Sequence, residues 1–92
     1  MIDIDYPHLW DELESGAFRD RLESALTPGF QQIHTTGERL PTASHCASQI
    51  SEIINRNAPE PLTAEVAYEL YQEVLLACER ARAAVLDVGA GS

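Results

Sequence analysis

The residues with the greatest potential for chemistry are two cysteines and three histidines, set among fifteen carboxylates. A cysteine nucleophile needs a base within hydrogen-bonding reach. His45 directly precedes Cys46, but neighbouring residues of a helix point about 100° apart and do not pair. Nothing in the spacing requires His8 or His34 to approach either Cys46 or Cys78. We therefore expect buried structural thiols and no enzymatic activity.

Metal and carboxylate chemistry have equally little support in the sequence. Suitable ligand atoms are carried by His34, His45, Cys46 and Cys78. Their spacing lacks the CxxC and HxxxH pairs that are typical of zinc sites. Asp11 and Glu14 share a helix face, as a glycosidase pair would, but no aromatic-lined cleft accompanies them. The glycines form no phosphate-binding loop, so we expect neither a metal nor a cofactor.

The charge balance narrows the class of partner. Fifteen acidic residues face six basic ones, all of them arginine, and the formal net charge is −9. Nucleic acids and anionic membranes are bound by cationic side chains, so we expect direct binding to neither. A basic protein surface is the expected partner. Arginine without any lysine indicates a GC-rich genome, and we expect a bacterial protein.

Length and composition predict one soluble helical domain over residues 1–92. The chain is 45% hydrophobic, and much of that is alanine, which favours packed helices over strands. The start, Met1–Asp5, is acidic where a signal peptide is basic. Apolar runs stay shorter than the roughly 18 residues of a membrane span. Two cysteines form no disulfide framework, so we expect a cytoplasmic protein with reduced thiols.

Apolar spacing predicts an all-α bundle of about three to five helices, with a long, central C-terminal helix. The first helical segment covers 6–26, with Asp5 as its N-cap and a break at Ser15-Gly16. A second helix covers 42–56, and Asn57–Pro61 stops it.

The last helix is the most strongly indicated. It begins after the N-cap Thr63 and ends before Gly89. Residues 1–5 are expected to form an extended arm and residues 89–92 a flexible tail. The run Val74–Cys78 is apolar around the whole helix, so it should be covered on every side, either inside the domain or in a homodimer through Leu75 and Leu76.

Residues 27–41 are predicted to be a connector, because two prolines and two glycines interrupt the helical pattern there. Two alternatives remain for its first part: a short helical turn capped by Thr27-Pro28, or an extended piece over 30–35. Its large apolar residues should pack onto the core in either case. They are Phe30, Ile33 and Leu40.

Six carboxylates and one aromatic residue form the candidate partner-binding site. They are Trp10, Asp11, Glu12, Glu14, Glu65, Glu69 and Glu73. Glu65, Glu69 and Glu73 follow one another at intervals of four residues and share a helix face. The helix dipole also favours carboxylates near the start of a helix, so they can be explained without a binding partner. The two acidic sets form one surface if their helices are adjacent. Trp10 is either a core residue or, if exposed, an interface anchor.

The leading hypothesis is a non-enzymatic, acidic protein-binding module that inhibits a basic partner. In size and charge the chain resembles small acidic proteins that neutralise a toxin or nuclease, among them immunity proteins, antitoxins and phage-encoded inhibitors. That resemblance implies inhibition by occlusion of a basic surface. The alternative is a structural or accessory subunit that forms a helical homodimer or part of a larger complex.

Overall fold

The computed structural model describes residues 4–91, with side chains described for residues 4–87. A single 3-10 turn, Tyr6–His8, precedes four helices: α1 (Leu9–Ser15), α2 (Ala17–Thr35), α3 (Ala43–Asn57) and α4 (Ala64–Gly91). α4 contacts each of the other three helices. Its 28 residues make about 42 Å of helix, close to the 44 Å long axis of the molecule. The all-α bundle with a long, central last helix is confirmed.

The N-terminal segment is attached to the bundle from its first described residue. Ile4 is half-buried against the main core, and the Tyr6 hydroxyl donates to the carbonyl of Ile54 in α3 at 2.8 Å. Asp5 precedes the 3-10 turn as predicted, but its carboxylate pairs with the His8 ring at 3.0 Å and caps no backbone N–H. The rest of the predicted arm, 1–3, lies outside the described residues.

The predicted break at Ser15-Gly16 is confirmed. Gly16 has φ +83°, a left-handed conformation that glycine adopts without steric cost. It ends α1 and starts α2. The Ser15 hydroxyl accepts from the Ala17 N–H at 3.3 Å, which satisfies one of the free donors at the start of α2.

The predicted connector over 27–41 is wrong in its first part, because α2 continues through Pro28 and Gly29 to Thr35. Residues 28–35 are therefore helical and not extended. Pro28 has no N–H for the helix ladder, but its ring lies on the exposed side. The apolar stripe continues past it in helical register, and burial of Phe30 outweighs the local signals. The true connector covers 36–42.

The other helix boundaries follow the sequence closely. The Thr42 hydroxyl accepts from the His45 N–H at 3.2 Å and caps α3. The Thr63 hydroxyl accepts from the Val66 N–H at 3.2 Å and caps α4. α4 continues to Gly91, beyond its predicted end before residue 89.

The core consists of two apolar clusters along α4. The larger one is built around Phe18, Leu70 and Val74, and the smaller one around Phe30, Leu40 and Val85. Cys46 packs against both. The predicted packing of the connector's large apolar residues is confirmed for Phe30 and Leu40, which are buried, and Ile33 is half-buried.

The apolar turn Val74–Cys78 is not covered on every side. Val74, Ala77 and Cys78 are fully buried, but Leu76 is 39% exposed. Leu75 is half-buried against the larger cluster. The folded chain thus leaves Leu76 as an apolar side chain on the outer side of α4.

Candidate functional site

The six candidate carboxylates lie on two helices that contact each other. Asp11, Glu12 and Glu14 project from α1, and Glu65, Glu69 and Glu73 project from α4. α1 packs against α4, so the two acidic sets are on neighbouring elements. Asp11, Glu14 and Glu65 are exposed, whereas the other three are half-buried.

Two of the six carboxylates are bound by arginines of α2. Arg19 Nη1 donates to Glu73 Oε2 at 3.0 Å, and the two side chains are only 24% and 13% exposed. Arg21 pairs with Glu12 through its guanidinium. Such pairs hold α2 to its neighbours. Glu12 and Glu73 therefore serve the fold, and a partner protein cannot reach them freely.

Sequence reasoning missed these pairs because the arginines lie on a third helix. Arg19 and Glu73 are 54 residues apart, and no local spacing rule connects residues across such a separation. The four remaining acids form no ion pair with any residue whose side chain the structure describes: Asp11, Glu14, Glu65 and Glu69.

The structure adds an exposed aromatic residue that the sequence analysis overlooked. Tyr68 is 64% exposed and lies one helical turn after Glu65, directly before Glu69 in the chain. Leu76 follows on the same outer side of α4, opposite the buried Leu70 and Val74. The available signal was the position of Tyr68 outside the apolar stripe of this helix. Exposed tyrosines are enriched among binding hot spots.

Trp10 occupies an intermediate position. Its side chain is half-buried on α1, so it is neither a fully buried core residue nor an open anchor. Among the large apolar side chains of residues 4–87, the exposed ones are Ile53, Tyr68, Leu76 and Leu86. Three of these four belong to α4.

The two cysteines are neighbours, Cys46 on α3 and Cys78 on α4. The pKa of the Cys78 thiol is raised to about 12, mainly by burial and also by the neighbouring Cys46 and Glu79. Burial also raises the pKa of Cys46, while its hydrogen bond with Cys78 and the charge of Arg82 act in the opposite direction. Both thiols are protonated at neutral pH, and a protonated thiol is a poor nucleophile.

The described part of the chain holds neither a cluster of metal-ligand side chains nor a helix that could span a membrane. Within residues 4–87, no three His, Cys, Asp or Glu side chains are grouped as they would be around a metal ion. In the same part of the chain, no helix is both long and apolar enough to cross a membrane. No protein-family model, no curated protein and no solved structure matches this chain, so its function is inferred from its own residues.

Proposed function

We propose that this chain is a non-enzymatic protein-binding module, and that the outer face of α4 docks on a basic protein surface. We call this the α4 outer face and define it by Glu65, Tyr68, Glu69 and Leu76. The observation that carries the proposal is Tyr68, 64% exposed beside two carboxylates that form no ion pair with the described side chains.

The α4 outer face combines the two components of a specific interface. Tyr68 and Leu76 offer apolar area that a partner can desolvate. Glu65 and Glu69 add negative charge to a chain whose net charge is −9, and long-range attraction of this kind raises association rates with basic partners. Asp11 and Glu14 are exposed on α1, which contacts α4, and they add to the negative charge that steers a basic partner.

Inhibition by occlusion is the mechanism that this surface would support. Toxins and nucleases that act on nucleic acids present basic surfaces to their substrates. An acidic face carrying an aromatic anchor would cover such a surface and exclude the substrate. In this proposal the chain supplies no reacting group, and its effect on the partner is steric and electrostatic.

A photo-crosslinking experiment tests the proposal. A photoreactive phenylalanine analogue replaces Tyr68, and a matched control carries the same group at Gln49, which is exposed on α3. Crosslinking in cells should capture one basic protein through position 68 and not through position 49. Its affinity for the purified chain should fall at least about tenfold between 50 and 500 mM salt. Equal capture at both positions, or an affinity independent of salt, contradicts the proposal.

The second candidate is a homodimer through the outer side of α4. It is favoured by Leu76, which remains 39% exposed in a turn where Val74, Ala77 and Cys78 are buried. Sedimentation equilibrium separates the two functions. A species twice the 10.1 kDa chain mass that Leu76→Asp converts to monomer supports the homodimer, and a wild-type monomer at about 100 µM, far above an ordinary dimer Kd, excludes it.

A further inference from the structure

We infer that the cleft between the 36–42 connector and the C-terminal part of α4 binds a small organic anion. The cleft has a volume of about 360 Å³ and is lined by His34, Arg39 and Leu40 on one side and by Arg82 and Leu86 on the other. That volume is at the lower end of the range for small-molecule sites, about 300–1,000 Å³. It lies more than about 20 Å along α4 from Tyr68.

The six arginines fall into two groups by their ion pairing. Four of the six arginines lie within 4.0 Å of a carboxylate oxygen: Arg19, Arg21, Arg56 and Arg80. Arg39 and Arg82 have no such partner among the side chains of residues 4–87. Acidic residues outnumber basic ones by fifteen to six, so partners are plentiful. Both arginines without a described carboxylate line the same cleft.

Arg82 lies in a partly enclosed environment. This residue is half-buried, and its Nε is enclosed without a hydrogen-bond partner in the described part of the chain. Arg19 Nε is enclosed in the same way while Arg19 Nη1 binds Glu73, so an enclosed Nε leaves the terminal nitrogens for an oxyanion. A guanidinium matches the two oxygens of a carboxylate or phosphate. Arg39 and Arg82 both line the cleft, so in this inference their guanidinium groups bind the oxyanion together.

The cleft also has an apolar side, formed by Leu40 and Leu86. Leu86 is 41% exposed there, and Leu40 belongs to the smaller core cluster. These side chains offer contact to a short hydrocarbon body behind the oxyanion. The ligand class is therefore a carboxylate or phosphate monoester that carries a small apolar group.

Glu38 is the one acidic side chain among the lining residues. Its carboxylate repels an anion, so we expect the cleft to bind its ligand with modest affinity. Replacement of Glu38 by a neutral residue should therefore increase the affinity for the anion.

Titration of the 15N-labelled full chain, followed by NMR, tests the inference. The probes are hexanoate, hexyl phosphate, inorganic phosphate and, as a cationic control with the same body, hexylamine. Hexanoate or hexyl phosphate should produce saturable shifts in the amides of residues 34–40 and 82–86. The stronger of the two identifies the preferred oxyanion. Hexylamine should produce none there.

Matched variants make the result specific. Arg39→Gln and Arg82→Gln should each weaken binding at least about fivefold, and Glu38→Gln should strengthen it about two- to fivefold. Arg56→Gln removes the same charge from an exposed pair on α3 and should change nothing. Arg39 is exposed, so its variant tests the site without a folding defect.

Four results overturn the inference. The first is the absence of saturable shifts up to about 10 mM ligand, which limits the binding free energy to about −2.7 kcal/mol. The second is an equal response to hexylamine, and the third is an equal loss of affinity in Arg56→Gln. The fourth is binding of inorganic phosphate as tight as that of hexyl phosphate. The last result would remove the role of the apolar side.

Discussion

Single arginines decide which carboxylates of this protein are available to a partner. Arg19 binds Glu73 and Arg21 binds Glu12, which removes two of six candidate residues from the acidic surface. Glu65 and Glu69 remain on the outer side of α4 and gain Tyr68 as a neighbour. At the residue scale, the candidate site is therefore smaller than the sequence suggests. It is centred on Tyr68, an uncharged residue that a count of charges does not identify.

The Arg19–Glu73 pair should be a measurable part of the stability. Glu73→Gln should lower the free energy of unfolding by about 1–3 kcal/mol, because it leaves a half-buried guanidinium without its charged acceptor. The matched control is Glu52→Gln, which breaks an exposed i,i+4 pair with Arg56 and should cost under about 0.5 kcal/mol. Urea denaturation measures both, and equal losses would show that the Arg19 pair has no special role.

The thiol of Cys78 should make the protein sensitive to alkaline pH. Its pKa is raised from 9.0 to about 12 in the folded chain, so the unfolded chain releases this proton first as the pH rises. The protonated thiol makes its full contribution to the free energy of unfolding below about pH 9, and this contribution is lost between pH 9 and about 12.

Urea denaturation between pH 8 and 10.5 measures this dependence. The free energy of unfolding should fall above pH 9 with a slope of up to about 1.4 kcal/mol per pH unit for this proton. In Cys78→Ala the stability at pH 8 is lower because of the lost packing, but the slope should be shallower. An unchanged slope in this variant would assign the pH dependence to other groups.

At the scale of elements, Gly16 is the joint between α1 and α2. Its φ of +83° is unfavourable for other residues, and an added Cβ would lie 2.8 Å from Nη2 of Arg19. Gly16→Ala should cost about 1–3 kcal/mol and disturb the Arg19–Glu73 pair. Gly29 is the matched control: it lies inside α2 with nothing within 4 Å of an added Cβ.

Gly29→Ala should stabilise the protein by about 0.5–1 kcal/mol, because alanine is the better helix former. Thermal and urea unfolding of the two variants give the comparison directly. A stabilising Gly16→Ala would contradict the left-handed joint, and a destabilising Gly29→Ala would contradict a continuous α2 at this position.

The sequence predicted the elements where local and periodic signals agree. The cap Thr63 and the break at Gly16 are confirmed because each depends on neighbours in the chain. Thr42 was predicted as the first residue of its helix, and it is the N-cap. The continuation of α2 through Pro28 was missed because a long-range effect, the burial of Phe30 and Leu26 against the rest of the bundle, competes with a local one. The arginine pairs were missed for the same reason, since they depend on which helices become neighbours.

At the scale of the whole molecule, the helices arrange charge and apolar surface along a 44 Å body. α4 is in contact with every other α helix on one side and leaves Tyr68, Leu76 and Leu86 exposed on the other. These three exposed side chains accompany the net charge of −9. In the proposed function, Tyr68 and Leu76 are the ones that a partner protein covers.

The most direct test of this account is the affinity of the crosslinked partner for chains altered on the α4 outer face. Calorimetry should show that Tyr68→Ala weakens binding by about 2 kcal/mol or more, and that Glu65→Gln with Glu69→Gln reduces the dependence on salt. Glu60 carries an exposed charge in the segment between α3 and α4. Glu60→Gln should leave the affinity and its dependence on salt unchanged. A partner that binds Tyr68→Ala as tightly as the unaltered chain would contradict the central claim.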